Sequence, residues 1–421
     1  MPATLVKTIE HCLMCASSAL VKRVPLRPIP IATPNFDVTA AGASDEELRA
    51  GVPLDLWQCT SCGHVQVGAE GDPELQYRDY VYTTSLSLGL ADHFRNYGQT
   101  IVQTYGLQPN DLVVEMGSND GTLLRVFKEA GMRVQGVDPA RRVAEQATER
   151  GIPTVPEFFD ARLAAGLRER LGPARTIIAN NVIANIGGLG SVADGVRTLL
   201  APDGIFVFET QYGPDVIDHV LLDTVYHEHL SYFLAEPTAL WLAAHGLEAI
   251  AFEHIATKGG SIRVVAQLAN GPRPIDKSVA AWIAREHAEG MFDQPYFDRL
   301  ATSLAAIRSD LATIVAREKA AGRQVAGYGV SVGTTALLPQ FDLTDEIAFL
   351  VDDDPHKPPT LRGPDYEIPV CRSDELAARA PGTVVIFAWR YAEPIIAKNK
   401  AYLANGGTFI VPLPTVREIR G

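Results

Sequence analysis

The sequence is poor in cysteine, with five, and carries no excess of basic residues: 37 Lys and Arg stand against 50 Asp and Glu, for a net charge of −13. Such a surface repels polyphosphate, which excludes a general nucleic-acid coat and sets the expectation of no nucleic-acid partner. Long apolar runs are missing too. The greasiest stretch, Val384 to Trp389, has the length of a buried strand and falls far short of the roughly 18 uncharged residues of a membrane span. The start, MPATLVKTIEHCLMC, lacks the basic region and sustained apolar stretch of a secretory signal, so a cytoplasmic protein without membrane attachment is expected. Short-period repeats and low-complexity tracts are absent. What remains is an ordinary globular composition, 47% apolar and 21% charged over 421 residues, enough for two or three domains.

The texture changes along the chain. Up to about Tyr80 it is rich in Pro and Gly with short extended runs, which reads as a small β-rich module. From Leu107 short apolar runs alternate with helical patterns (DLVVEMG, LLRVFKEAG, RVQGVD, TIIANNVI, IFVFET), the grammar of a parallel sheet covered by helices. Residues from Asp276 to Ala320 read as helices forming a bridge, and after Gly322 strand and helix alternate again, which predicts a second α/β unit. The expected fold class is therefore α/β, with a β-rich N-terminal module and two Rossmann-like units.

Four of the five cysteines lie in the first sixth of the chain, as Cys12-Leu-Met-Cys15 and Cys59-Thr-Ser-Cys62. Each C-x-x-C pair can offer two thiolates to one tetrahedral ion. Four soft ligands favour a single Zn2+ over two disulfides, which a reducing compartment disfavours, or a redox pair, which needs only one C-x-x-C. With every position taken by sulfur, the metal has no place for an activated water and is structural.

The run Leu112-Val-Val-Glu115-Met-Gly117-Ser-Asn119-Asp120-Gly121 carries an apolar strand into a glycine turn and a helix, and the next strand ends at Asp138, where a carboxylate can accept ribose hydroxyls. The spacing is E-x-G-x-x-x-G rather than G-x-G-x-x-G. Acidic Glu115 and Asp120 suit a sulfonium and an amino acid better than a pyrophosphate, which favours S-adenosylmethionine over a dinucleotide or an empty structural turn. Further on, Asp223-Thr-Val-Tyr226-His227-Glu228-His229 gathers groups able to titrate near neutrality. It is not H-E-x-x-H, and taken alone the histidine pair could be two metal ligands but reads more readily as structural surface residues. Beside a sulfonium donor, a histidine with a carboxylate and a phenol suits carbanion chemistry: a base for the C–H proton and donors for the enolate.

These segments, with KGGSIRV, GYGVSVGTT, LVDDDPHK and the C-terminal AWRYAEPIIAKNKAYLANGGTFIVPLP, resemble in order and over nearly the whole chain the three-domain, zinc-containing, S-adenosylmethionine-dependent sugar C-methyltransferases, which C-3-methylate dTDP-4-keto-deoxysugars of the tetronitrose type in antibiotic pathways. The resemblance implies a zinc-binding domain at 1–78, a methyltransferase domain at 79–272 and a bridge plus sugar-nucleotide domain at 273–421. It implies a nucleotide-linked ketosugar as the small-molecule acceptor, with a monomer as a workable state. His229 is then the base, Tyr226 and Glu228 line the sugar and orient it, and Tyr80 rather than Tyr77 closes the pocket. Asn180 and Asn181 join the glycine loop and Asp138 around the donor. Gly329, Ser331, Gly333 and Asp352 form a wall for the sugar nucleotide. Two positions depart from the family: Asn185 stands where it commonly has His in N-N-x-x-A-H-I, and Lys258 where His is expected. An amide cannot shuttle a proton, which leaves O- or N-methylation of another small molecule as the alternative reading.

Overall fold

The computed structural model describes residues 5–31, 44–80, 90–256 and 259–421. It is an α/β protein, as the sequence pattern predicts. The central sheet has the order Thr154–Val155, Arg133–Val137, Leu112–Met116, Ala174–Asn180, Leu200–Gln211, Ser261–Leu268, Leu247–Ile255. Its first five strands are parallel and the last two run antiparallel to their neighbours. Strand Leu112–Met116 is buried throughout, as a strand covered on both faces must be. It lies between the second strand of the sheet and the fourth, so strand order reverses beside it and a crevice opens at the carboxyl ends.

A second seven-stranded sheet repeats the plan, with Val325–Tyr328 between Ile347–Asp352 and Thr383–Ile386. The 27-residue helix Gln294–Ala320 joins the units, its buried Leu300, Leu304, Ile307 and Leu311 entering a core shared with the N-terminal module and the second sheet. The shorter helix Lys277–Ala288 stays on the central unit, where buried Glu286 accepts the N–H groups of Ala235 and Glu236 at the start of another helix.

The N-terminal module contributes Leu20–Val24, Leu56–Cys59 and Val65–Val67 to a four-stranded sheet whose fourth strand, Ser231–Tyr232, comes from the central unit. That loan places His229 between the module and the central sheet. Among the described residues, no helix is long and apolar enough to cross a membrane.

Candidate active site and metal centre

At the switch point Gly117 adopts φ +67° and donates its N–H to the Val137 carbonyl at 2.8 Å. A Cβ there would stand 2.8 Å from the Val182 side chain, so only glycine fits. Asn119, at φ +48°, donates its N–H to Asp138 Oδ2 at 2.8 Å, and Asp138 Oδ1 accepts from Ala140 at 2.9 Å. Asp138 thus holds the loop, with its carboxyl raised by burial against the lowering effect of those two N–H groups. Asp120 accepts from the Thr122 N–H and hydroxyl, and Gly121, at φ +76°, begins helix Thr122–Glu129. Asn181, at φ +53°, donates its N–H to the Glu209 carbonyl at 2.7 Å.

Several polar atoms of this crevice are buried without a partner: Glu115 Oε2, Ser118 Oγ, and both amide atoms of Asn180. The Glu115 carboxyl is held well above the usual carboxylate range, first by burial and then by Asp138 and Asp120. Unpaired buried polar atoms are rare in folded proteins, and grouped at a switch point they match a polar ligand with a cationic end, such as S-adenosylmethionine.

The second cluster is built on the segment that follows strand Leu200–Gln211. His229 Nδ1 lies 2.8 Å from the Thr224 carbonyl, which can only accept and so favours a proton on Nδ1. The other nitrogen, Nε2, accepts the Tyr226 hydroxyl at 3.0 Å, and the two rings are 4.1 Å apart. The Gln211 amide nitrogen, a donor, lies 2.7 Å from Nδ1 and 3.2 Å from Nε2, so it competes with the Thr224 carbonyl for the choice of tautomer. Tyr226 is kept phenolic by burial first and then by Glu228 and Tyr80. Tyr77 donates to the Glu228 carbonyl at 3.3 Å, and its ring is 5.9 Å from that of Tyr80, so both tyrosines border this cluster. The turn Ile183–Asn185 is tied to it through the Leu230 N–H and the Ala184 carbonyl at 2.8 Å, and Asn185 Oδ1 is buried there without a partner.

His227 faces away. It is 3% exposed, and its Nε2–H donates to the Pro53 carbonyl at 3.1 Å. Gln211 and the Thr224 carbonyl escaped the sequence reading. The first hides in a strand pattern, and the second is a backbone group.

Cys12 and Cys62 Sγ are 3.6 Å apart, as are Cys15 and Cys59, and all four sulfurs lie within 4.8 Å of one another. A disulfide needs about 2.05 Å. A tetrahedral ion with bonds of about 2.3 Å spaces its sulfurs at about 3.8 Å, so the four fit a Zn2+. The knuckles are alike: Ala16 and Gly63, both at positive φ, donate N–H to the Cys12 and Cys59 carbonyls. Next to the second knuckle, buried His64 pairs through Nε2 with Ser231 Oγ at 3.0 Å, two residues from His229.

In the second unit Gly329, at φ +103°, repeats the loop geometry, and Asp352 accepts the N–H groups of Val330 and Asp354. Ser331 caps helix Val332–Gln340. Gly333 lets that helix approach Asp223, which Arg390 grips through two hydrogen bonds of 3.1 and 3.0 Å. This ion pair joins the second unit to the turn that carries Thr224. Lys258 lies outside the described residues.

Comparison with known proteins agrees with this layout. A methyltransferase-domain profile matches residues 92–251, and a C-methyltransferase C-terminal-domain profile matches 256–414. C-methyltransferase NovU of Streptomyces niveus is 33% identical over 416 residues, covering 99% of this chain and 98% of that one. Two weaker likenesses carry no argument. Magnesium protoporphyrin IX methyltransferase of Synechocystis PCC 6803 (TM-score 0.34, 15% identity) covers 42% of this chain and 83% of its own. The PH0226 protein of Pyrococcus horikoshii OT3 (TM-score 0.36, 15% identity) covers 44% and 94%. With a third of its residues shared over almost its whole length, the chain belongs to the C-methyltransferase family that its motifs resemble, enzymes that take their methyl group from S-adenosylmethionine.

Proposed function

We propose that the acceptor is a dTDP-linked 4-keto-6-deoxysugar and that the methyl group goes to C-3. The observation that carries this reading is the placement of His229, with Nδ1 2.8 Å from the Thr224 carbonyl and Nε2 3.0 Å from the hydroxyl of a protonated phenol, Tyr226. In this reading His229 Nε2 takes the C-3 proton and the electron pair moves onto the C-4 ketone oxygen. The Tyr226 O–H and the Asn185 amide N–H are the donors available to that oxygen, the amide standing in for the histidine its relatives commonly carry. Glu228, Tyr77 and Tyr80 border the sugar. S-Adenosylmethionine, once bound, supplies the electrophilic methyl group that the enolate carbon takes.

Glu115, the 117–121 loop, Asp138, Asn180 and Asn181 hold that donor, and Gly329, Ser331, Gly333 and Asp352 wall the nucleotide. One Zn2+ on the four cysteines braces the strand that follows His229. Three units, at 1–78, 79–272 and 273–421, divide this work. The reaction needs no macromolecular partner.

Mass spectrometry on the purified protein with S-adenosylmethionine and a panel of nucleotide 4-ketosugars and 3-ketosugars tests this. The expected product is a 4-ketosugar heavier by one methylene, and the unmethylated sugar should exchange its C-3 hydrogen in heavy water without donor. Methylation at a heteroatom with no exchange refutes the proposal.

A further inference from the structure

The face of the central sheet beneath helix Leu90–Tyr105 is apolar over most of its length, with Val113, Ile178, Val207 and Val265 packed under Phe94, Tyr97 and Ile101. Strand register shows where that ends. Ile178 pairs with Glu115 and Val207, Asn180 with Glu209, and Glu209 with Arg263. Paired residues share a face, and so do residues two apart, so Glu115, Asn180, Glu209 and Arg263 form a polar row on this same face, at the carboxyl ends of the parallel strands.

Two members of the row serve each other. Glu209 accepts Arg263 at 2.9 Å through one oxygen and pairs with His93 at 2.9 Å through the other, which ties the first turn of the helix to the sheet. The Arg263 guanidinium lies 4.3 Å from the Tyr97 ring centre, a cation–π contact that fixes the ring and polarises its hydroxyl. Tyr97 is 2% exposed, and among the described residues only the Asn180 amide is placed to hydrogen-bond its hydroxyl oxygen. Burial first, with Glu209 and Glu115, keeps it protonated against the opposing effect of Arg263 and of the Asn180 side chain. A phenolic O–H, a carboxyl oxygen and both ends of an amide therefore lie at one edge of the crevice, all buried and, the Tyr97–Asn180 contact aside, without a partner among the described residues. A ligand that satisfies them must bring both acceptors and N–H donors. The α-carboxylate and α-ammonium of an amino acid do that, and the adenosine end of the donor does not need them.

We propose that Tyr97 is a donor-binding residue that, with Asn180, reads the amino-acid end of S-adenosylmethionine, held in place by Arg263 beneath its ring and by the His93–Glu209 pair. This holds whatever the acceptor is. Calorimetric titration of the wild type and Tyr97→Phe with S-adenosylhomocysteine, and with 5′-methylthioadenosine, which lacks the amino-acid end, tests it. Loss of one hydrogen bond predicts about tenfold weaker binding of the homocysteine compound by the variant, with the affinity for methylthioadenosine unchanged. The variant should unfold at the same temperature as the wild type or higher, because in the free protein the buried O–H proton has no acceptor among the described residues. Equal weakening of both ligands, no weakening of either, or a lower unfolding temperature overturns the proposal. Failure of the wild type to bind S-adenosylhomocysteine overturns the donor crevice itself, and the proposal with it.

Discussion

Two histidines separated by one residue are expected to fail in opposite ways when replaced. His227 is neutral and buried, with its pKa pushed down to about 4 by desolvation, and burial alone pushes His64 down to about 3. In the unfolded chain both titrate near 6.5. Above that value neither state binds the proton, and the buried neutral rings cost nothing. As pH falls below 6.5 the unfolded chain gains protons that the folded one refuses, so stability is lost progressively down to the folded pKa values. At pH 5 the gap is about 1.5 units, or about 2 kcal/mol for each histidine and about 4 for the pair. That is a large share of the roughly 5–15 kcal/mol that holds a domain together. Urea unfolding at pH 7.5 and pH 5, followed by tryptophan fluorescence, measures it. In His227→Gln, whose amide can still donate to Pro53, the loss between the two pH values should shrink by about 2 kcal/mol while activity at pH 7.5 persists. His229→Gln should lose methyl transfer at that same pH. An unchanged pH dependence in His227→Gln refutes the assignment of His227 as a buried neutral donor.

Three further outcomes follow from the geometry. Cys15→Ser removes one of the four sulfurs, so elemental analysis should fall from about one zinc per chain to well under half, and the melting temperature should fall with it; a metal-free variant that melts like the wild type contradicts a structural role. Gly117→Ala forces a Cβ against Val182 at φ +67°, a strain of about 1–2 kcal/mol, and should weaken S-adenosylhomocysteine binding at least tenfold by calorimetry. Asn185→His places a titratable ring beside Tyr77 and should add a limb near pH 6–7 to the kcat profile once an acceptor is in hand; a profile identical to that of the wild type argues that position 185 does not touch the reacting oxygen.

What could be read from the residues alone was what depends on local spacing. A C-x-x-C pair closes its own knuckle, and a glycine after a buried strand makes its own turn, so both sites were visible as strings. Contacts set by packing were not. Nothing local says that His229 turns toward Gln211 while His227 turns toward Pro53, because the difference arises when Ser231–Tyr232 joins the sheet of the N-terminal module. Tyr97 sits in an amphipathic helix where an aromatic reads as core, and its ring is indeed core; only strand register brings its hydroxyl to the polar row. The Arg390–Asp223 pair spans 167 positions and has no trace in either segment.

The two Rossmann-like loops also show which part of such a pattern carries information about the ligand. Gly117 and Gly329 each donate N–H to the residue before the acid that follows in the next strand, Val137 and Val351, both at 2.8 Å. Asp138 and Asp352 each accept one N–H from the glycine loop and another two residues beyond themselves. The same three bonds appear twice, so the acid at the end of the second strand has a structural task in both units, whatever binds there. What differs is the rest of the crevice. In the second unit the polar groups behind the acid are satisfied internally: Tyr328 donates to Asp353, which also takes Lys398 and Ser373. In the first, Glu115, Ser118, Tyr97 and Asn180 keep polar atoms buried and unpaired. Leaving them so is costly unless a ligand completes them, and beside the second loop the Trp389 indole nitrogen is in that state where the first has four residues. In the proposed reading the donor lies at the first loop on grounds of unsatisfied chemistry, where glycine spacing and the acid would have nominated both.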